Sequence, residues 1–194
     1  MKKPILLIAF LATVIINAQT DTRIYDIIKD VNTKRIKKDI TKLADFGTRH
    51  TLSDTISETR GIGAARRWIK SEFEEIAKNC NNCLNVFYQK ELVKKNEKRI
   101  VHDVMIVNVV AIQKGTKHPN RYIIMSGDID SRVSDPNDYT SDSPGANDNA
   151  SGMAGTIEAA RVLSTYKFEN SIIYVGLSGE EQGLFGGRGL AAYA

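Results

Sequence analysis

Cysteine is nearly absent from this 194-residue sequence: there are two, Cys80 and Cys83, in "NCNNC". A zinc site built on cysteine pairs would need further ligands, and there is no second pair. The two follow an amphipathic helical pattern and precede a strand pattern, whereas a redox CxxC opens a helix after a strand. A local structural disulfide is the favoured reading, with free thiols or a redox pair as alternatives. Long apolar runs are missing too, apart from Ile5 to Ile16, which is too short to span a bilayer comfortably. Lys2 and Lys3 precede that run, and Asn17 and Ala18 follow it. That order is a signal peptide's, so residues 1–18 are expected to be cleaved on export, leaving a secreted or periplasmic protein with no membrane attachment. Strong charge is also lacking. The net charge is +4, or +2 once Lys2 and Lys3 are removed, too little to argue for nucleic acid. Basic clusters such as Lys34 to Lys38 and Lys94 to Arg99 read as solvated faces.

Several familiar motifs fail on inspection. "GIGAAR" lacks the third glycine of a dinucleotide fingerprint and follows no strand. "GLSGE" misses the serine-hydrolase elbow at its last residue. The Asp-rich loop after Gly127 places Arg132 and Val133 where an EF-hand needs ligands. Histidine is sparse and scattered: His50 in "TRHT", His102 in a hairpin pattern, and His118 in a "KHPN" turn.

What is present is an alternation of periodicities. Residues 21–46 repeat apolar side chains at helical spacing, from Ile24 to Leu43. "FGTRHT" is a loop, and a second helix starts near Asp54, Ser57 and Glu58, carrying Ile62, Trp68, Ile69, Phe73 and Ile76 on one side. "LNVFYQKEL" and "VMIVNVVAIQKG", joined by the polar "KKNEKR", read as a hairpin. "RYIIMSG" is apolar throughout and reads as a central strand. A loop of about 20 residues follows, long enough to be functional or disordered. "NASGMAGTIEAARVLSTY" is a helix with small residues for close packing, "SIIYVGLSG" is a fourth strand, and "EEQGLFGGRGLAAYA" opens another helical segment. Strands alternating with helices imply an α/β sheet with crossovers. Ligands in such sheets gather at the carboxyl ends of the strands.

Acidic residues lie at those ends. "GDID" carries Asp128 and Asp130, "PGANDNASG" carries Asp148, and "SGEEQGLFGG" carries Glu180 and Glu181. Each alone has a plain reading: a solvated loop, an Asx-rich helix start, and a helix N-terminus favouring acids. Together and in this order they resemble the co-catalytic zinc aminopeptidases, the bacterial leucyl aminopeptidase and aminopeptidase Y group. The resemblance runs from Phe46 to the last residue.

The resemblance implies a phosphorylase/hydrolase-like fold, a three-layer α/β/α arrangement with a mixed sheet, truncated on its C-terminal side. It divides the chain into a helical segment at 19–45 and a partial catalytic domain at 46–194. It implies two divalent ions, zinc first, with Mn or Co admissible because an aspartate stands where the family has histidine. Asp148 would bridge the ions, Glu181 would bind one, and Asp128 would take the position of the first ligand. Asp130 would stand behind Asp128, and Glu180 would be the general base. A cis peptide is often found in the family after the bridging aspartate, here Asp148–Asn149. The substrates would be peptides, cleaved at the N-terminal bond. The family's remaining acidic and histidine ligands come from beyond the sequence given, so little hydrolysis is expected of this chain alone. An inactive, metal-stabilised binding module and a glutaminyl-cyclase-like enzyme of the same fold are the alternatives.

The residue types make chemical sense by themselves. A shared carboxylate holds two repelling cations together. A carboxylate left free beside them can accept a proton from water and pass it to a leaving amine.

Overall fold

The computed structural model describes residues 21–96 and 98–193. The signal-peptide reading of residues 1–18 therefore lies outside the described residues. No described helix is long and apolar enough to cross a membrane.

The helical pattern at 21–46 is two helices, α1 (Thr22–Asp30) and α2 (Thr33–Ala44). The break falls at Asn32, whose side chain accepts the backbone N–H groups of Lys34 and Arg35 and so caps α2. The next helix, α3 (Gly61–Asn79), starts later than its acidic residues suggest. Asp54 accepts from the N–H groups of Ile56 and Ser57, and Ser57 Oγ from those of Thr59 and Arg60. These side chains build consecutive turns before the helix. Gly61 then opens α3 at φ +85°, where an added Cβ would lie 2.4 Å from the Asp54 carbonyl oxygen. After α3, Cys80 and Cys83 are joined by a disulfide, their Cα atoms 5.4 Å apart.

Strands β1 (Leu84–Val93) and β2 (Val104–Gln113) form an antiparallel hairpin. Strand β3 (His118–Asp128) leads through an irregular stretch and a single π-type turn, Ala146–Ala150, into α4 (Ser151–Leu163). Strand β4 (Asn170–Leu177) and α5 (Phe185–Tyr193) follow. The sheet order is β1-β2-β4-β3, with β4 antiparallel to β2 and parallel to β3. The sheet is therefore mixed, as expected.

Strand β3 is not central. It lies at the sheet edge, with Tyr122, Ile123 and Ile124 more than half exposed. Its uninterrupted apolar run matched a strand covered on both faces, but among the described residues β4 alone pairs with it. The central strands are β2 and β4, and their alternating side chains serve two cores. Val109, Ala111, Ile172 and Tyr174 face α2, α3 and α4, while Val110, Ile173 and Val175 face Leu190 of α5. The three layers follow from that alternation. Gly127 lets α4 lie directly on β3, since a Cβ there would stand 2.5 Å from the Met153 amide nitrogen.

Arg49, fully buried, ties the acidic loop to this frame. Its Nε donates to the Ile129 carbonyl at 2.8 Å, and Nη1 to those of Leu43 and Pro144 at 2.9 and 2.6 Å. Nη2 donates to the Gly145 carbonyl at 3.1 Å. The cation thus joins the end of α2, the residue after β3 and the start of the π-type turn. Arg49→Met leaves four carbonyls without this donor, two of them in part-buried bonds, and should lower stability by about 3 kcal/mol or more in urea unfolding. Arg49→Lys should recover only part of the loss, because an ammonium cannot reproduce the planar fork.

Candidate active site

The acidic residues meet at the carboxyl ends of β3 and β4. Asp128 ends β3 in register with Leu177 of β4, and Asp130 follows two residues later. Asp130 is 1% exposed. Its carboxylate accepts the Thr51 hydroxyl at 2.9 Å and the backbone N–H groups of Glu180 and Glu181 at 3.2 and 3.1 Å. Burial pushes the Asp130 carboxyl up to about 6, against the downward pull of those three donors. Gly179 makes the turn with φ +77°. The two N–H groups after it then face Asp130 rather than continuing β4.

Glu180 is half-buried. Burial, and then the nearby carboxylates of Glu181, Asp128, Asp130 and Asp148, hold its carboxyl above the usual range. The three sequence elements share one region: Asp130 bonds the amides of Glu180 and Glu181, and Asn149, next to Asp148, bonds Asp128. Among the described residues, however, no three His, Cys, Asp or Glu side chains come close enough to hold a metal ion together. Two of the expected ligands have local partners instead. Asp128 Oδ2 accepts from Asn149 Nδ2 at 2.9 Å, and Glu181 Oε2 accepts from Arg132 Nε at 2.6 Å. Asp148 is exposed. The Asp148–Asn149 peptide is cis.

Three contributors escaped the sequence reading. Thr51 lies in the "FGTRHT" loop, which showed no sign of a role, yet its hydroxyl anchors Asp130. Arg132, noted only for spoiling an EF-hand, pairs with Glu181. Asn149 joins two elements, because its Oδ1 accepts the Gly152 N–H at the start of α4 while its amide holds Asp128. Only Asn149 had a local signal, as an Asx residue at a helix start.

His50 is no ligand in this arrangement. It is buried, and its Nδ1 accepts the Leu52 N–H at 3.1 Å. That leaves Nε2 to carry the proton, 3.0 Å from the Pro136 carbonyl. The ring holds the Thr51 loop against the loop at Pro136.

Residues 108–194 match Peptidase family M28. A "Probable zinc metalloprotease" of Pyrenophora teres f. teres (strain 0-1) is 46% identical over 171 residues, covering 88% of this chain and 35% of that protein. The Legionella pneumophila LapA aminopeptidase has a TM-score of 0.68 at 19% identity, covering 100% of this chain and 44% of that one. A glutaminyl cyclase of Fimbriiglobus ruber has a TM-score of 0.63 at 21% identity, covering 84% and 55%. At those identities the structures establish a shared fold. The chain spans between 35% and 40% of the length of the curated relatives it matches first.

The His50 environment predicts a pH dependence. Burial lowers its pKa below the ordinary value of 6.5, so the neutral ring stabilises the fold above about pH 6.5. That contribution is lost as the pH falls through the depressed value, when protonated Nδ1 can no longer accept from Leu52. Thermal midpoints measured from pH 8 to pH 5 should fall more steeply for the unaltered protein than for His50→Gln. Parallel curves would remove His50 as the cause.

The sequence of residues 108–194 thus matches Peptidase family M28, and the chain as a whole has a fold like that of the LapA aminopeptidase.

Proposed function

We propose that the protein is an exported, metal-dependent aminopeptidase acting on peptides, with two divalent ions, zinc by preference. The single observation that carries this reading is the placement of Asp128, Asp130, Glu180 and Glu181 at the carboxyl ends of β3 and β4, with the Asp130 carboxylate bonded to the amides of Glu180 and Glu181. The donor set fits such ions. Five carboxylates share the region, and Arg132 is the cation paired with one of them, so divalent metal would relieve a repulsion the chain leaves standing. All the donors are oxygen, a chemistry that suits zinc and also admits manganese. Asp148, Glu181 and Asp128 would hold the metal, which when bound would polarise the peptide carbonyl and acidify water.

The chain's own residues do the rest. Glu180, its carboxyl already held above the usual range, is suited to take a proton from water and return it to the leaving amine. Asp130 fixes the backbone of Glu180 and Glu181, so both carboxylates start from a rigid turn. Metal at Glu181 would compete with Arg132 for the same oxygen. The relative named as a zinc metalloprotease and the aminopeptidase of like fold support this assignment. The glutaminyl cyclase shows that the fold alone does not choose the reaction. The full "NDNASG" and "GEEQGLFG" strings fit the peptidases better. Export is supported by the signal-like residues 1–18 and by the Cys80–Cys83 disulfide, since such bonds persist in oxidising compartments.

The test is hydrolysis of aminoacyl-nitroanilides by the intact protein. Chelation should abolish turnover and added zinc should restore it. Glu180→Gln should lower kcat by about 100- to 10,000-fold while leaving zinc content unchanged. Chelator-resistant turnover, or a fully active Glu180→Gln, would refute the reading. Asp128→His should preserve or raise zinc occupancy; a fall would remove Asp128 from the ligand set.

A further inference from the structure

Two buried arginines differ in how completely they are satisfied. Arg49 spends Nε, Nη1 and Nη2 on four carbonyls. Arg66, on α3 and 5% exposed, has one protein acceptor among the described residues, Ser178 Oγ at 3.3 Å from Nε. Its Nη2 is buried with none. Burial pulls both guanidinium groups down to about 10, but only Arg49 receives a full set of acceptors in return. A buried cation left short of acceptors is the kind of group that structures complete with a ligand.

Arg66 lines a cavity of about 1020 Å³ between α3, the β1–β2 hairpin, and the loops at Thr51 and Tyr139. That volume is of the order that takes a drug-sized molecule. Much of its wall is apolar, including Leu52, Ile56, Val104 and Met105. Several other lining charges are already engaged. Arg60 pairs with Asp142, Arg67 donates to the carbonyls of Thr55 and Ile56, and Asp103 pairs with Lys94. Lys90 forms no ion pair among the described residues and stands 5.8 Å from the Tyr88 ring centroid. The cavity also borders the acidic site: Thr51 lines it and binds Asp130, while Ser178 holds Arg66 and lies two residues before Glu180.

We propose that this cavity binds a carboxylate at the Arg66 guanidinium, with the apolar body of the ligand against the hairpin wall. A carboxylate supplies the charged acceptor that this guanidinium lacks, and hydrogen bonds between two charged groups are the strong ones. Arg60, Arg66, Arg67 and Lys90 outnumber Asp54 and Asp103 in the same wall, which favours an anion there. Identifying the carrier as a peptide rests on the peptidase reading; the carboxylate site itself does not. The carboxylate is either the peptide's α-carboxylate or an Asp or Glu side chain.

Calorimetric titration of the metal-free chain separates these cases with N-acetylated peptides, which an aminopeptidase cannot cleave. The probes are N-acetyl-Leu-Leu as free acid, the same peptide as C-terminal amide, and N-acetyl-Leu-Glu amide. At least one acid should bind about tenfold or more tightly than the uncharged amide, and whichever does names the source of the carboxylate. Arg66→Gln should erase the difference, and Arg66→Lys should keep part of it. If Arg66→Gln fails to fold, the ¹⁵N resonances of the Arg66 guanidinium in the unaltered protein decide: they should shift with the acid and not with the amide. Equal binding of acid and amide, no binding, or unmoved Arg66 resonances would overturn the site. Acid binding, together with no turnover of the aminoacyl-nitroanilides by the intact protein, would refute the peptidase and leave the pocket standing.

Discussion

Asp130 is the constraint from which the acidic site is built. It is a carboxylate almost wholly removed from water, held by one hydroxyl and two backbone amides. Its donors come from the Thr51 loop and from the turn after β4, and its own backbone continues β3, so one side chain fixes three segments that are distant in sequence. Its charge is also felt by both buried arginines, Arg49 and Arg66, whose protonation it favours. The cost of burying a carboxylate is thus shared among hydrogen bonds and two cations, none of which forms a direct ion pair with it. A charge stabilised in this distributed way is hard to replace by an apolar residue, because the amides of Glu180 and Glu181 would lose their acceptor.

The frame around Asp130 depends on close approaches of backbone. Gly127 brings α4 onto β3, and this places the turn containing Asp148 and Asn149 beside the end of the strand. Asn149 then uses its amide twice, toward Asp128 and toward the first turn of α4. A second polar group stiffens the helical side. Arg161 on α4 pairs with Glu158 and also reaches Asp39 of α2 and Glu72 of α3. Burial raises Asp39 above its ordinary range, with Arg161 pulling it back down. The helices behind the sheet are therefore locked by a partly buried charge network, while the sheet edge that carries the acids is held by hydrogen bonds.

Much of this was legible because it is local. Apolar periodicity gave the hairpin, the helix after Asp148 and the strand before Glu180, and spacing placed the three acidic elements at strand ends. What escaped was set by partners distant in the chain. The apolar run of β3 could not reveal that only β4 flanks it. The periodicity from Ile24 to Leu43 continued through Asn32, where a side-chain cap outweighs the pattern. Asp54 and Ser57 have the composition of a helix start, yet they spend their oxygens on earlier turns. Nothing in "TRHT" or "GAARRW" distinguishes a buried arginine from a solvated one, since the carbonyls that satisfy Arg49 come from residues 6 to 96 positions away.

The aspartate at position 128 sharpens the electrostatic argument. A neutral imidazole there would leave four carboxylates in the region; Asp128 makes five. The chain answers with one dipole and one cation, the Asn149 amide on Asp128 and the Arg132 guanidinium on Glu181. Neither removes the repulsion that adds to burial in raising Glu180. An extra negative charge strengthens attraction for any divalent cation but weakens the Lewis acidity of the ion once bound. It would also make the balance between Arg132 and the metal proposed at Glu181 steeper, because each added anion favours whichever cation carries more charge. The same substitution that makes the site less like an imidazole-ligated one therefore increases its bias toward a divalent ion over a guanidinium.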